Sequence, residues 1–383
     1  MTYNFSTPKV VFGRGTRARI AGHAVRQGRR CLLVTGGNPD RHDWLHVELR
    51  ETMAAVVMVR TPEEPDTLFI REQLLLARDS ACDVVVAIGG GSALDTGKAL
   101  AALLTNTSDL FTYLEVVGRG LPLETPSRFM IAVPTTAGSG AEVTANAVLA
   151  VPDKGLKVSL RGPAVMPDLA IVDPELAISL PSAQTASTGL DALTQLIEAF
   201  VSNAASPLTD PLCRDGIERA SRSLRLAVAN GEDLDARTDL AMASLFSGMA
   251  LANARLGAVH GFAAPLGGVL RVPHGVVCAA LLPQVMEVNI WAMQRRDTRN
   301  QALGKYTEIA RILTGNPSAT PVDGVTWIRQ LCSNLGIVGL GPLGLAVANL
   351  EELADKAAAS SSMRGNPVPL TRDELLFILR RAM

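Results

Sequence analysis

Residues 84–100 read VVVAIGGGSALDTGKAL, and this stretch decides the fold class. A short β-branched run ends in three glycines, and an Ala- and Leu-rich segment with helical spacing follows. Glycines let a backbone approach a phosphate closely, and the N-terminus of a helix offers free N–H groups and a favourable dipole. The spacing fits neither the Rossmann fingerprint nor a P-loop, so a tight structural turn is the alternative. We predict a phosphate-binding turn at Gly89, Gly90, Gly91 and Ser92.

The same strand-then-glycine pattern recurs on both sides of this stretch. CLLVTGG (31–37), AVVMVRTP (55–62) and RFMIAVPTTAGSG (128–140) are apolar runs, and IREQLLLARDSA (70–81) between them has helical spacing. Continuous apolar strands separated by helices indicate a parallel sheet covered on both faces. Such sheets bind ligands at the carboxyl ends of their strands. The sequence therefore predicts an α/β dinucleotide-binding domain with a parallel sheet.

From about Leu180 the pattern changes to helical spacing of Ala, Leu and polar residues. The stretches at 185–204, 237–257 and 373–383 show it, and β-branched runs become sparse. We predict an α/β domain over residues 1–180 and an all-α domain over residues 181–383.

Bulk properties restrict the class of partner. The formal net charge is -1 and the basic residues are dispersed, which predicts binding to neither nucleic acid nor a membrane. The start MTYNFSTPKVVFGRG lacks the pattern of a signal peptide. The five cysteines are scattered without paired spacing, which favours a reducing cytoplasm. We therefore expect a soluble, globular protein of the cytoplasm.

Polar residues flank both glycine turns. Thr135 and Thr136 precede Gly138 in the second turn, and two such turns on neighbouring strands would enclose a pyrophosphate. Asp95 and Lys98 follow the first turn. They can anchor the loop, contact a ribose or form a surface ion pair, and the sequence does not decide among these roles.

Three residues of the second half have the chemistry of metal ligands. His260 and His274 lie fourteen positions apart among small residues, and Asp191 lies in a Leu- and Ala-rich helix. A carboxylate in such a helix is costly unless it is paired or bound to a metal. Gln195 follows Asp191 at i+4, on the same helix face. The alternatives are structural histidines and an aspartate close to a helix start.

These motifs resemble those of the iron-containing (group III) alcohol dehydrogenases, in order and over nearly the whole chain. The stretches that carry the resemblance are PKVVFGRG, AIGGGSALDTGKA, VPTTAGSGAEVT, MPDLAIVDPEL, TGLDALTQLIEA, VHGFAAPLGG and PHGVVCAALLP. The resemblance implies the dehydroquinate synthase-like fold, NAD or NADP as cofactor, Fe(II) or Zn(II), and a homodimer. It also implies reversible hydride transfer between NAD(P)(H) and an alcohol or aldehyde, with the metal as Lewis acid.

One aspartate and three histidines hold the metal in that family. The resemblance carries three of these roles to Asp191, His260 and His274, and the fourth to Gln195, where the family has histidine. An amide oxygen is a poorer ligand than imidazole for iron or zinc. Ala264 replaces a further histidine that is thought to relay a proton, so the relay would need water or another group. Cys278 is expected to be buried in an apolar strand or helix.

The resemblance also implies cofactor contacts. Gly89, Gly90, Gly91, Ser92 and Asp95 match the pyrophosphate and ribose region, Thr135 and Thr136 match the second loop, and Lys157 falls near a lysine that contacts the nicotinamide ribose.

Cofactor preference depends on the residue that follows the first strand of this region. Gly36 stands where NAD-preferring members often have aspartate. Loss of that carboxylate leaves room for a 2′-phosphate near Asn38 or Arg41, which favours NADP. Asp40 is the alternative acid that would restore a preference for NAD.

Three other functions stay open at this level. They are a metal-independent reductase resembling the maleylacetate reductases, a dehydroquinate synthase-type lyase, and a non-catalytic nucleotide-binding protein.

Overall fold

The computed structural model describes residues 2–270 and 272–383, apart from the side chain of Pro39. Within this part of the chain, two compact units are distinguished. The sheet unit comprises Thr7–Thr136 and Gly140–Ile178. The helical unit comprises Ala137–Ser139 and Ser179–Met383, with the N-terminal residues up to Ser6. The main division falls between Ile178 and Ser179, and the short segment Ala137–Ser139 is an exception to a single division at residue 180.

The sheet unit contains the strands that the sequence predicts, together with a separate hairpin. Its strands are β1 (Lys9–Phe12), β2 (Arg30–Thr35), β3 (Ala55–Arg60), β4 (Val84–Gly89), β5 (Phe129–Pro134), β6 (Asn146–Val151), β7 (Leu156–Arg161) and β8 (Leu169–Val172). Its helices are α1 (Ile20–Ala24), α2 (Asp43–Thr52), α3 (Thr67–Asp79), α4 (Gly91–Leu103) and α5 (Leu110–Tyr113). Among the described residues, six strands form one sheet in the order β1-β8-β5-β4-β2-β3, and all pairs in it are parallel.

Alternate side chains of the central strands enter two apolar layers. Leu32, Val85 and Ala87 pack in one layer, and Leu33 and Val86 pack in the other. All five are fully buried, which explains why the strands read as continuous apolar runs. The predicted α/β class with a parallel sheet is confirmed.

The antiparallel hairpin β6–β7 was not foreseen. Its strands pair from Asn146 with Arg161 to Val151 with Leu156, and Gly155 turns the chain at φ +59°. The hairpin covers one face of α4 through Val148 and Asn146, whose main-chain atoms bond to polar side chains of that helix.

The helical unit is built from nine α-helices in the described part of the chain. They are α6 (Ser182–Val201), α7 (Asp210–Ala229), α8 (Leu234–Ala254), α9 (Ala258–Val269), α10 (His274–Arg296), α11 (Gln301–Thr314), α12 (Pro321–Asn334), α13 (Leu350–Ala359) and α14 (Arg372–Ala382). Helix α10 is long and apolar enough to cross a membrane by composition, but 78% of its apolar window is buried in the protein. It is therefore a core helix of this unit, and the predicted helical half is confirmed.

Candidate metal centre and cofactor turn

The turn between β4 and α4 has a shape that glycine alone satisfies. Gly89 has φ +154°, and a Cβ there would lie 2.7 Å from Cβ of Ala93 and 3.3 Å from the amide nitrogen of Gly36. The ends of the neighbouring strands β2 and β4 therefore come together through two glycines. Helix α4 begins at Gly91 without a side-chain cap, so its first N–H groups are available to an anion. This cradle fits a dinucleotide phosphate.

The two predicted glycine turns lie side by side, because β4 and β5 are neighbours in the sheet. The amide of Thr135 donates to the carbonyl of Gly89 at 2.9 Å, and the side chain of Thr136 lies 3.4 Å from where a Cβ of Gly90 would be. The hydroxyl of Ser92 donates to the carbonyl of Glu63 at 2.6 Å. In this structure that hydroxyl joins the loops of the sheet unit.

Asp95 and Lys98 make the contacts expected of anchors. Lys98 Nζ is buried, lies 3.4 Å from Asp95 Oδ1, and donates to Thr144 Oγ1 at 2.9 Å and to the carbonyl of Asn146 at 2.8 Å. Asp95 Oδ2 accepts from the amide of Val148 at 3.1 Å. The pair therefore ties α4 to the hairpin, and the surface ion pair considered from the sequence is wrong because Lys98 is 1% exposed.

Glu142 completes this buried cluster and was missed from the sequence. Burial raises its pKa to about 7, and the backbone hydrogen bond and the nearby Lys98 offset only part of that increase. A carboxyl group with this pKa changes its charge near neutral pH.

The residues expected to select the cofactor lie around the end of β2. A Cβ on Gly36 would meet no heavy atom within 4 Å, so the position is open. Asn38, Asp40 and Arg41 are exposed. Lys157, on β7, forms an ion pair with Glu64.

The metal-ligand candidates converge in the helical unit. Asp191 lies in the middle of α6, His260 in the first turn of α9, and His274 begins α10, with Cys278 one turn later. One donor atom from each of these four residues lies within 4.8 Å of the other three. Because α6 begins at Ser182, the alternative that Asp191 lies close to a helix start is wrong.

The two carboxylate oxygens of Asp191 have different surroundings. Oδ2 accepts from Gln195 Nε2 at 3.3 Å. Oδ1 is buried without a hydrogen-bond partner, 3.5 Å from His260 Nε2 and 3.7 Å from His274 Nε2. An unpartnered buried carboxylate oxygen facing two imidazoles is costly, and a divalent cation among them would relieve that cost. The residues present therefore fit a metal ion.

Gln195 turns its amide nitrogen, not its oxygen, towards the centre. Its Oε1 accepts from the hydroxyl of Ser247 at 2.9 Å while its Nε2 donates to Asp191. In this orientation Gln195 offers no ligand atom, so the predicted ligand role is not favoured by its hydrogen bonds.

Glu198 orients His260 and was missed from the sequence. Its Oε2 lies 2.7 Å from His260 Nδ1, and its Oε1 accepts from the amide of Val259 at 2.6 Å. A carboxylate on the far nitrogen of a ligating histidine fixes the tautomer and raises the basicity of the ring. The spacing contained the signal, because Asp191, Gln195 and Glu198 follow at i, i+4 and i+7 on one face of α6.

The electrostatics of the cluster favour positive charge. Burial alone would raise the pKa of Asp191, but His274 and His260 more than offset this and lower it. The neighbouring Cys278 makes the largest contribution to the pKa of His274, which is raised to about 9, and Asp191 raises it further. Protons and metal ions compete for these atoms, so the field that raises the pKa of the imidazole also attracts a cation.

The centre is accessible from one side. The side chain of His274 is 52% exposed, while those of Asp191 and His260 are each 8% exposed. Ala264 is exposed on α9 one turn after His260 and offers no titratable group.

Comparison with known proteins identifies the family. A model of the iron-containing alcohol dehydrogenases matches residues 7–174, and a model of the C-terminal part of the Fe-containing alcohol dehydrogenase family matches residues 185–383. The chain belongs to the iron-containing alcohol dehydrogenase family. It is an oxidoreductase of the alcohol dehydrogenase type, as predicted, and the lyase and non-catalytic alternatives are not favoured.

Individual relatives of this alcohol dehydrogenase agree over its full length. The 1,3-propanediol dehydrogenase of Klebsiella pneumoniae is 34% identical, and the alignment covers 99% of this chain and 96% of that protein. The crystal structure of a 1,3-propanediol oxidoreductase is 32% identical with a TM-score of 0.92, covering both chains completely. The sulfoacetaldehyde reductase from Bifidobacterium kashiwanohense, solved in complex with NAD+, is 27% identical with a TM-score of 0.87, covering 100% of this chain and 99% of that one. The predicted fold family is confirmed.

Proposed function

We propose that this alcohol dehydrogenase interconverts small primary alcohols or diols and their aldehydes, with a divalent metal held by Asp191, His260 and His274. The observation that carries the proposal is the unpartnered Oδ1 of Asp191 between the two imidazoles. Relatives named for 1,3-propanediol support the substrate class.

A bound divalent ion supplies Lewis acidity towards a carbonyl oxygen, and a bound nicotinamide supplies or accepts the hydride. The chain's own residues prepare both partners. Glu198 fixes the His260 ring so that Nε2 faces Asp191, and Gln195 fixes the other oxygen of Asp191. The side of the centre at His274 admits substrate, because the other donors are buried. Because Ala264 has no titratable group that could accept a proton, the hydroxyl proton of an alcohol passes to water at this exposed side.

The sheet unit binds the cofactor. We assign the pyrophosphate to Gly89, Gly90, Gly91 and Ser92, with Thr135 and Thr136 from the neighbouring turn. Asp95 holds α4 in place, and Lys157 is assigned to the nicotinamide ribose after release from Glu64. The open position at Gly36 and the exposed Asn38 and Arg41 support a preference for NADP over NAD, because neither a carboxylate nor a side chain fills the space of a 2′-phosphate.

We also propose a cytoplasmic homodimer. All five cysteines are buried with free thiols, which suits a reducing compartment. Light scattering of the purified protein measures the subunit number.

The test is NADPH and NADH oxidation with a panel of small aldehydes, using chelator-stripped enzyme with and without added Fe(II) or Zn(II). We expect activity to return only with metal and to be higher with NADPH. Equal activity without metal would overturn the Lewis-acid role in favour of the metal-independent reductase.

A further inference from the structure

Cys278 lies at the metal centre although the sequence suggested an inert buried thiol. Its Sγ is 3.5 Å from His274 Nε2 and 3.9 Å from His260 Nε2, and it is fully buried. It follows His274 by four residues on α10, so both side chains leave the same face of the helix.

We propose that Cys278 is the fourth ligand of the metal and that Gln195 is a positioning residue for Asp191. The inference rests on the metal centre of the proposed function. It changes the donor set to one carboxylate, two imidazoles and one thiolate.

The donor separations fit near-tetrahedral protein ligands of one ion, which would take a substrate oxygen as a fifth ligand on the exposed side at His274. Bonds of about 2.0–2.1 Å to nitrogen or oxygen and about 2.3 Å to sulfur require donor separations of about 3.3 Å and about 3.6 Å respectively. The measured separations are 3.5 and 3.7 Å between Asp191 Oδ1 and the two imidazoles, and 3.5 and 3.9 Å between those imidazoles and Sγ. These four separations lie within about 0.4 Å of the tetrahedral values, and the other two, between the imidazoles and between Asp191 and Cys278, are at most 4.8 Å.

The hydrogen bonds of Gln195 argue against the amide as ligand. To present Oε1, the amide would have to rotate, and its Nε2 would then donate to the hydroxyl of Ser247, which also donates to the carbonyl of Ser244 at 2.8 Å. Its Oε1 would then face Asp191 Oδ2, and two acceptors would lie together in a buried place. The present orientation keeps both of these groups satisfied.

A thiol that coordinates a divalent cation is deprotonated, so Cys278 would add a full negative charge to the donor set. Thiolates also select softer ions such as Zn(II) over Fe(II). The structure therefore assigns a zinc-type preference to this centre.

The experiment replaces the metal with Co(II), whose bond to a thiolate gives a near-ultraviolet charge-transfer band. Stripped protein is titrated with Co(II), and bound metal per chain is measured separately. The variants are Cys278→Ala and Gln195→Ala, with Cys213→Ala as the matched control, because Cys213 is equally buried on α7 of the same unit.

We expect the band in the parent protein, Cys213→Ala and Gln195→Ala, and its loss in Cys278→Ala. Loss of outer contacts usually weakens metal binding by about 10–100-fold, so Gln195→Ala should fall in that range and Cys278→Ala should lose more. Cobalt bound to the parent without the band, or the band unchanged in Cys278→Ala, overturns thiolate ligation and leaves the metal centre intact. Absence of any bound cobalt in the parent protein overturns the metal centre itself, and the inference with it.

Discussion

At the scale of single residues, we assign Gly36 to the space beside the cofactor ribose. We expect Gly36→Asp to shift the ratio of kcat/KM for NADH over NADPH by about tenfold or more towards NADH. A carboxylate there would accept from the ribose 2′-hydroxyl and repel a 2′-phosphate, and one charge-assisted hydrogen bond contributes about 1.5–3 kcal/mol. A Cβ at this position meets nothing within 4 Å, so the fold should tolerate the change. An unchanged ratio would contradict the assignment of this position; Gly304→Asp, on α11 of the helical unit with equally open space at its Cβ position, is the control and should leave the ratio unchanged.

Glu142 predicts a pH dependence of stability. Its pKa in the folded protein is about 7, above the ordinary value of 4.5, so its protonated form is the one that folding favours. The contribution is fully present below pH 4.5 and is lost as the pH rises through 7. A shift of this size corresponds to about 3 kcal/mol as an upper figure. Glu142→Gln cannot ionise and should escape this loss.

The measurement is urea unfolding of Glu142→Gln and the parent protein at pH 5 and pH 8. The free energy of unfolding of the variant minus that of the parent should increase by about 2 kcal/mol from pH 5 to pH 8. Glu72→Gln, at an exposed position of α3, is the control: its free energy of unfolding should differ from that of the parent by the same amount at pH 5 and at pH 8. A variant that behaves like this control would show that Glu142 stays ionised throughout.

The sequence was informative where a residue's role follows from its own chemistry and local spacing. Gly89 is required by its backbone angle and by its close approach to Ala93, four residues later, whereas its approach to Gly36 depends on the pairing of β2 with β4. Asp191, His260 and His274 stood out as polar residues among apolar ones. The roles of Cys278 and Gln195 depend on which side chains meet across helices and on which way an amide points. Spacing alone does not contain that information.

At the scale of elements, the first turn of α10 positions two of the four proposed donors. A Cβ on Gly275 would lie 2.0 Å from the carbonyl oxygen of Ser187, so glycine allows α10 to touch the backbone of α6. We expect Gly275→Ala to separate the helices, to lower the free energy of unfolding by about 1–3 kcal/mol, and to reduce bound zinc. Metal analysis and urea unfolding measure the two effects.

Gly304→Ala is the matched control for that prediction. Gly304 lies on α11 with nothing within 4 Å of its Cβ position, so alanine should stabilise this helix by about 0.4–1 kcal/mol and leave zinc bound. If Gly275→Ala retained full zinc, the contact between α10 and α6 would not position the donors.

Elements were predictable in proportion to their burial. The fully buried β4 leaves a continuous apolar run that ends in glycines, and α6, buried along most of its length, leaves a long Ala- and Leu-rich stretch with helical spacing. The hairpin β6–β7 is half-buried and short, and its role in holding Asp95 and Lys98 depends on contacts between segments about fifty residues apart. A local pattern does not show that pairing.

At the scale of the whole molecule, metal should stabilise the helical unit by mass action. Free zinc at 100 times its dissociation constant raises the free energy of unfolding by about 2.7 kcal/mol, since the unfolded chain lacks the assembled donors. Trp291 and Trp327 lie in this unit, and Trp44→Phe removes the tryptophan of α2, so the remaining fluorescence reports on the helical unit. Equal melting temperatures with zinc and with chelator would contradict the prediction.

The two halves were visible in the sequence as a change from β-branched runs to helical periods. The sequence did not place the segment Ala137–Ser139 in the helical unit. In the structure Gly138 packs there against Thr188, and a Cβ on Gly138 would lie 2.7 Å from Cβ of Thr188. The polar, glycine-rich composition of the segment is equally suited to a cofactor turn, so composition alone could not distinguish the two settings.

The proposed donors of the metal centre come from three helices, α6, α9 and α10, and this arrangement affects the lifetime of a bound ion. An ion there would link segments that are distant along the chain, and separation of those helices would break several of its bonds at once. We expect its residence time to follow the opening rate of the helical unit rather than the strength of any single bond. Isotope exchange with labelled zinc should therefore accelerate steeply with temperature, in parallel with unfolding.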